Sequence, residues 1–484
     1  MSIFREAGRT FLVKILGYFL GFLNSFIFAR ILGPSDFGVY SIANTIISFV
    51  TIFSLMGLNS GIIRFVGEWY GKDDFNKVSS FYSESIKISV FISIIASFLF
   101  YILRVPISNV FEFENLEYII IIAFAIPFMT IFQVNGGLLR GVKKPSVFFF
   151  YEEILLRIVK LVIFFVLIYF LNPLNSLFAA MFLAILFVFL FSSFRVFKLI
   201  PNLKFIFKSN KKDSKELFKY SSYLMFVRFT EFMMGYVNTI IIGVFLNSES
   251  AGIYSISQIL SGVLIFIYVS FNSIFVSNVA DLFNNNKRLE LEKLYSDITK
   301  IIIFLSLPLV IMMIVYSKSV LNIFGEEYVI GFKTLIILSL AQFVSISVGP
   351  NESLLSMSGN QKYSLINGIV IAVLNIVLNI LLIPRYGIIG SAIGAGVSLI
   401  IVNILKYLEV YFILKINPYN KSYLKLFPIS LIIFFFNFYI DRNFSTNLLY
   451  LIILGFVNYG ILFLVYFLFS TKDEKNIIRK YFKK

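Results

Sequence analysis

The chain has 484 residues, of which 59% are hydrophobic and only 14% charged, where a soluble domain carries roughly 25% charged residues. Its mean hydropathy is +0.89, and one or two soluble cores cannot bury that much apolar surface. Soluble enzymes, nucleic-acid-binding proteins and secreted domains are therefore excluded, and the net charge of +16 reads as orientation and attraction to lipid headgroups.

The chain has no cysteine and no histidine. That removes disulfides, thiol nucleophiles, the usual general base and the usual metal ligand. Hydropathy and breakers predict an all-α membrane protein of fourteen transmembrane helices, over residues 9–32, 37–62, 81–103, 117–136, 146–170, 174–197, 218–246, 251–279, 297–316, 332–356, 363–384, 388–412, 424–440 and 447–470. Fourteen spans of ~20 residues consume most of the apolar content and leave no room for a soluble catalytic domain. Helices are expected because lipid offers no partner to an open strand edge. The apolar runs are continuous, without the alternation of a β-barrel. The first segment contains Lys14 and no small-residue cleavage site, so it is expected to be retained.

The loops set the orientation. With the N-terminus in the cytoplasm, the outer loops hold the basic residues Arg30, Arg104, Lys318, Lys333, Arg385 and Arg442, outnumbered by acidic ones. The inner side holds most of the remaining lysines and arginines, with eight between Arg195 and Lys219 and six between Lys472 and Lys484. This asymmetry predicts a multi-pass protein of the cell membrane with both termini cytoplasmic.

The chain also repeats itself. Gly38-Val39-Tyr40-Ser41-Ile42 opens the second segment, and Gly252-Ile253-Tyr254-Ser255-Ile256 opens the eighth. Tyr82-Ser83-Glu84-x-x-Lys87 opens the third, and Tyr295-Ser296-Asp297-x-x-Lys300 the ninth. Leu138-Leu139 corresponds more loosely to Leu354-Leu355. The offset of six helices is even, so the two halves share one orientation. The expected layout is two parallel six-helix lobes around a central cavity, one of the repeat plans of secondary transporters. The N-lobe covers 1–198, a lysine-rich cytoplasmic linker 199–216, the C-lobe 217–414, two extra helices 415–470, and a basic cytoplasmic tail 471–484.

Charges within the bilayer are costly and usually face a cavity or a partner. In the fifth segment Glu153, Arg157 and Lys160 follow i, i+4, i+7 and share one face. Arg157 falls near mid-membrane by the helical rise. Glu153 can neutralise one cation, leaving a positive face suited to a phosphate or pyrophosphate. The competing reading is a structural ion pair between packed helices. In the seventh segment Arg228 and Glu231 are three apart, either an anion site or a gating pair. Lys14 either joins the anion site or snorkels to the inner headgroups, and Lys87 is expected to snorkel. Glu231, Asn375, Asn379 and Ser391 could supply oxygens for Na⁺, although asparagines also hold helices together. Gly17-x-x-x-Gly21 and Gly390-x-x-x-Gly394 are expected to let helices pack closely. Pro127, Pro308 and Pro350 are expected to kink helices. Trp69 is expected in an inner loop as an interface anchor.

The segment Ala29-Arg30-Ile31-Leu32-Gly33-Pro34-Ser35-Asp36-Phe37-Gly38-Val39-Tyr40, with Leu55-Met56-Gly57-Leu58 and Ile63-Arg64-Phe65, resembles the opening of prokaryotic polysaccharide flippases. These are the O-antigen and polysaccharide transporter branch of the multidrug/oligosaccharidyl-lipid/polysaccharide exporter superfamily. The resemblance implies a transporter, not an enzyme, that moves a polyprenyl-(pyro)phosphate-linked oligosaccharide from the cytoplasmic to the outer leaflet by alternating access. It implies cavity cations that hold the anionic bridge, including a seventh-helix arginine matched by Arg228. Lipid II flippases carry arginines in the middle of the first helix where this chain has Tyr18 and Asn24, which points away from a peptidoglycan precursor. Some members bind Na⁺ through helices 7, 11 and 12; Asn375 and Asn379 fit that spacing, but an aspartate is missing. The implied partners are the lipid-linked oligosaccharide, membrane lipids and other polysaccharide-assembly membrane proteins. No nucleic acid and no cofactor is expected, the coupling ion being Na⁺ or H⁺, and the monomer is the expected working unit. Two other readings stand beside this one: a cation-coupled drug exporter of the same fold, and a membrane polysaccharide polymerase or ligase.

Overall fold

The computed structural model describes residues 2–469 apart from 114, 201, 207–210, 286 and 444–446. The basic tail expected over 471–484 lies outside the described residues. Among those residues every element is helical. The chain forms two compact units, Met1–Ser255 and Ile256–Lys484.

The first unit contains α1 (Ser2–Leu55), α2 (Leu58–Tyr70), α3 (Phe75–Ile102), α4 (Arg104–Phe111), α5 (Glu117–Gly141), α6 (Pro145–Phe149), a π-helical turn (Phe150–Leu155), α7 (Leu156–Leu167), α8 (Pro173–Leu199), α9 (Lys211–Gly235), α10 (Val237–Phe245) and the start of α11 (Ser248–Ser261). The second contains the rest of α11, then α12 (Val263–Asn284), α13 (Arg288–Val315), α14 (Ser317–Asn322), α15 (Phe332–Ser347), α16 (Asn351–Met357), α17 (Gln361–Glu409), α18 (Leu426–Asn443) and α19 (Leu448–Phe469).

Among the described residues, ten helical stretches are long and apolar enough to cross a membrane. Two of them, Gly8–Leu55 and Lys362–Leu414, run to 48 and 53 residues, twice the length one crossing needs. Each is broken by a glycine in a backbone region closed to helices: Gly33 (φ 75°, ψ 176°) and Gly387 (φ 58°, ψ −138°). The arms then fold back. Phe28 and Tyr40 pack edge to face at 6.0 Å between centroids, although twelve residues of unbroken helix would separate them by ~18 Å. Ser391 Oγ donates to Asn379 Oδ1 at 2.6 Å across the second bend. Both bends fall where the sequence pattern separates two spans.

Other boundaries move for local reasons. The second span ends at Leu55, not 62, because Met56 and Gly57 take positive φ and α2 starts afresh. The third begins at Phe75, where the Asp74 side chain accepts a hydrogen bond from the Lys77 amide at 3.0 Å. The seventh breaks at Tyr236, the eighth at Gly262 and the tenth at Gly349-Pro350. Pro350 therefore caps α16 and does not kink a helix, whereas Pro127 and Pro308 do lie inside helices. Trp69 sits in the last turn of α2, not in a loop, with the Lys72 ammonium 4.4 Å from its ring. Lys87 pairs with Glu84 at 2.8 Å.

The internal repeat is visible in side-chain bonding. Buried Tyr82 donates its hydroxyl to Asn135 Oδ1 at 2.8 Å. Buried Tyr295 donates to the Val348 carbonyl at 2.8 Å and to Asn351 Oδ1. Leu138, Leu139, Leu354 and Leu355 are all core residues. The glycines that open the repeated motif also meet each other. A Cβ added at Gly38 would lie 3.0 Å from the Gly252 nitrogen and collide with the Ser248 carbonyl. One added at Gly252 would lie 3.0 Å from the Gly38 nitrogen and collide with the Pro34 carbonyl. The contact is reciprocal, so α1 and α11 approach through bare backbone.

Two outcomes are expected. Gly38→Val and Gly252→Val should each lower stability in detergent by roughly 1–3 kcal/mol. The double variant should lose less than the sum, since either Cβ already separates the helices; thermal unfolding of the purified protein reads both. Tyr82→Phe and Tyr295→Phe should each cost about 1–3 kcal/mol by leaving a buried acceptor unsatisfied, measured the same way.

Candidate functional site

The site grows from the interruption of the segment expected to be the fifth span. Pro145 starts α6, and the chain then widens into the π turn before α7. Such turns insert one extra residue and recur at functional sites. This one carries both carboxylates of the span and sends them to different partners. Glu152 Oε1 accepts from Gln133 Nε2 at 2.8 Å. Glu153 Oε2 pairs with Arg157 Nη2 at 2.7 Å, both side chains remaining about a quarter exposed or less.

Arg157 is held from three sides. Its Nη1 also donates to the Gly17 carbonyl of α1, and its own carbonyl accepts from Asn24 Nδ2 at 3.2 Å. A Cβ at Gly17 would stand 3.0 Å from Glu153 Oε2, and one at Gly21 3.1 Å from Arg157 Cζ. The Gly17-x-x-x-Gly21 stripe lets α1 approach the π turn closely, as expected, and the side chains seated in that seam are the ion pair. Tyr18 and Tyr236 stand within electrostatic range of the pair.

Lys160 leaves this group. Its ammonium donates to the Tyr40 hydroxyl at 2.6 Å and lies 5.4 Å from the Phe28 ring. Lys14 is also apart, 4.2 Å over the Phe149 ring.

Arg228 projects from α9, exposed, with Nε and Nη2 at 3.4 and 3.5 Å from Ser60 Oγ of α2. Glu231 lies one turn on, and its side chain, with the expected pairing, falls outside the described residues. A further cation stands beside Arg228. Arg140, at the end of α5, donates from Nη2 to the Asn59 carbonyl and from Nε to the Gly136 carbonyl, both at 3.2 Å. Its electrostatic neighbours are Glu152 and Arg228, and Glu152 in turn feels Glu153 and Arg157. The first unit therefore brings Arg228, Arg140, Glu152, Glu153 and Arg157, drawn from α5, the π turn, α7 and α9, into one electrostatic neighbourhood, with a direct ion pair between Glu153 and Arg157. Sequence reading passes over Arg140 because a cation in the last turn of a helix is already explained by the helix dipole. The nearest signal is Gly136-Gly137: added side chains there would strike Phe148 and the α2 backbone, so α5 lies tight against both.

Chemically, guanidinium forks carry the donors that phosphate oxygens accept, and here they are occupied by Glu153, the Gly17 carbonyl and Ser60.

In the second unit, Asn375, Asn379 and Ser391 are buried. Asn379 Nδ2 donates to the Asn375 carbonyl and Oδ1, each at 2.7 Å, while its Oδ1 accepts from Ser391. The cluster ties the two arms of α17 together. Gly394 sits in the same seam, where a Cβ would lie 3.3 Å from Asn379 Nδ2. Among the described residues no group of three or more His, Cys, Asp or Glu could hold a metal ion.

Residues 27–330 match the polysaccharide biosynthesis protein family. The whole chain is similar to the probable low-salt glycan biosynthesis flippase Agl15 of Haloferax volcanii, 23% identical over 501 residues and covering 99% of each chain. In fold it is similar to the lipid II flippase MurJ in an inward closed conformation, with a TM-score of 0.76 at 18% identity over 95% of this chain and 98% of that one. An inward-facing multidrug resistance MATE family transporter gives 0.67 at 15% identity over 81% and 92%. The family match covers more than half of the sequence, and the chain is a multi-span membrane protein belonging to the polysaccharide biosynthesis protein family.

Proposed function

We propose that the chain is a flippase for a glycan precursor carried on a polyprenyl phosphate or pyrophosphate, moving it from the cytoplasmic to the outer leaflet. The observation that carries this reading is the arginine set of the first unit. Arg157 is held by a carboxylate and a backbone carbonyl, with Arg140, Arg228 and Glu152 in the same electrostatic neighbourhood. A sugar headgroup joined to its lipid by phosphate needs cations at membrane depth, and its tail can remain in the bilayer. The likeness to a glycan biosynthesis flippase and to the lipid II flippase fold supports the same reading, a transporter rather than an enzyme.

The remaining parts of the proposal are fourteen crossings, cytoplasmic termini and a grip exposed to one leaflet at a time. Two crossings come from each of the two bent stretches, with the fifth and seventh spans completing the count. Na⁺ or H⁺ is the proposed coupling ion. A drug exporter for cationic compounds needs an anionic site, and the arginine set argues against it. A polymerase or ligase needs a large outer loop bearing catalytic groups, and the connections between helices here are short.

The test is flipping of the native lipid-linked glycan in cells or proteoliposomes. Arg157→Ala and Arg228→Ala should each slow it by about 10- to 100-fold, the range expected when one charge-assisted contact of roughly 1.5–3 kcal/mol is removed. Arg140→Ala should slow it as well. Normal rates in both the Arg157 and Arg228 variants, at normal protein levels, would overturn the reading. Gly21→Leu removes no cation but fills the seat of Arg157, and it should reproduce the Arg157→Ala defect at matched levels of folded protein.

A further inference from the structure

A second feature of the first unit lies away from the arginine set. A groove of about 610 Å³ runs between α1, the α6–π turn segment and the end of α8. Three cations line it, Arg9 of α1 with Arg195 and Lys198 of α8. Among the described residues none of the three forms an ion pair with a carboxylate. Its apolar wall is formed by Leu12, Phe150, Phe191 and Phe194, which remain between 43% and 69% exposed.

The order along the helices gives the groove a head and a tail. On α1 the cation precedes the apolar residue by one turn, and on α8 Phe191 and Phe194 precede Arg195 and Lys198. Cations therefore gather at the end where α1 begins and α8 finishes, the side that the charge bias of the loops places in the cytoplasm. Cations that merely snorkel need no groove, and an apolar groove for helix packing needs no cations. A concave site of this volume that combines both matches a ligand with an anionic head and a hydrocarbon tail.

We infer that this groove binds one anionic glycerophospholipid of the cytoplasmic leaflet, its phosphate between Arg9, Arg195 and Lys198 and its tail along Phe191 and Phe194. Charge complementarity with that leaflet selects a resident anionic lipid over a neutral one.

The experiment uses the full-length protein in a neutral detergent, with phosphatidylglycerol and phosphatidylcholine compared by native mass spectrometry. Phosphatidylglycerol adducts should survive collision energies that strip phosphatidylcholine. The triple variant Arg9→Gln, Arg195→Gln, Lys198→Gln should lose them by about fivefold or more. A phosphatidylglycerol with a photoactivatable tail should label the wild-type segments 9–13 and 191–198, which gives a readout even if the variant folds poorly. Equal retention of the two lipids, undiminished adducts on a folded triple variant, or labelling confined to other segments would overturn the proposal. So would displacement of phosphatidylglycerol by an equimolar polyprenyl phosphate, since the groove would then belong to the substrate's carrier. None of these outcomes depends on flipping, so the lipid site and the flippase reading can fail separately.

Discussion

The first unit is organised around one electrostatic problem: a guanidinium must be kept within a segment expected to cross the membrane and made mostly of Leu, Ile, Val and Phe. An isolated charge at that depth is expensive, and the chain answers with a partner on the next turn, a carbonyl from another helix and two residues without side chains. Glu153 alone would satisfy only part of the guanidinium fork. The Gly17 carbonyl takes a further donor, and it is reachable because Gly17 and Gly21 leave α1 open at that point. The π turn belongs to the same arrangement, since it gives Glu152 and Glu153 separate partners. Position, charge and helix irregularity are three aspects of one constraint.

Much of this was legible in the sequence. Continuous apolar runs with sparse charges gave the membrane class and the approximate spans. The spacing of Glu153, Arg157 and Lys160 offered Glu153 a cation on its own face, and the structure shows that it is Arg157. Gly33-Pro34 and Gly387 were readable as breaks because only glycine adopts those dihedrals cheaply. The echoes around Tyr82 and Tyr295 were readable as a repeat, and the structure shows both tyrosines donating to an asparagine late in the same half. The spacing of Asn375 and Asn379 predicted a shared face, and the two side chains are hydrogen-bonded.

What stayed hidden depended on distant parts of the chain. Lys160 shares the helical face of Arg157, but the bend at Gly33 brings Phe28 and Tyr40 together and offers its ammonium a hydroxyl and a ring instead. Arg140 comes near Arg228 because α2 presents Asn59 and Ser60 side by side, one to each cation. Periodicity says which residues share a face but not what that face meets. The breaks at Met56-Gly57 and Tyr236 escaped for a related reason: hydropathy does not change across them, and only backbone dihedrals record them.

The reciprocal meeting of Gly38 with Gly252 has an evolutionary consequence. A contact in which each motif touches the other's counterpart residues is the contact two identical chains make across a twofold axis. A half-length ancestor could have closed it with a second copy of itself, and fusion of the two genes would have kept it within one polypeptide. Most of the two halves could then diverge freely. The two glycines could not, because a mutation gaining a side chain on either would be felt by both descendants of the same ancestral surface.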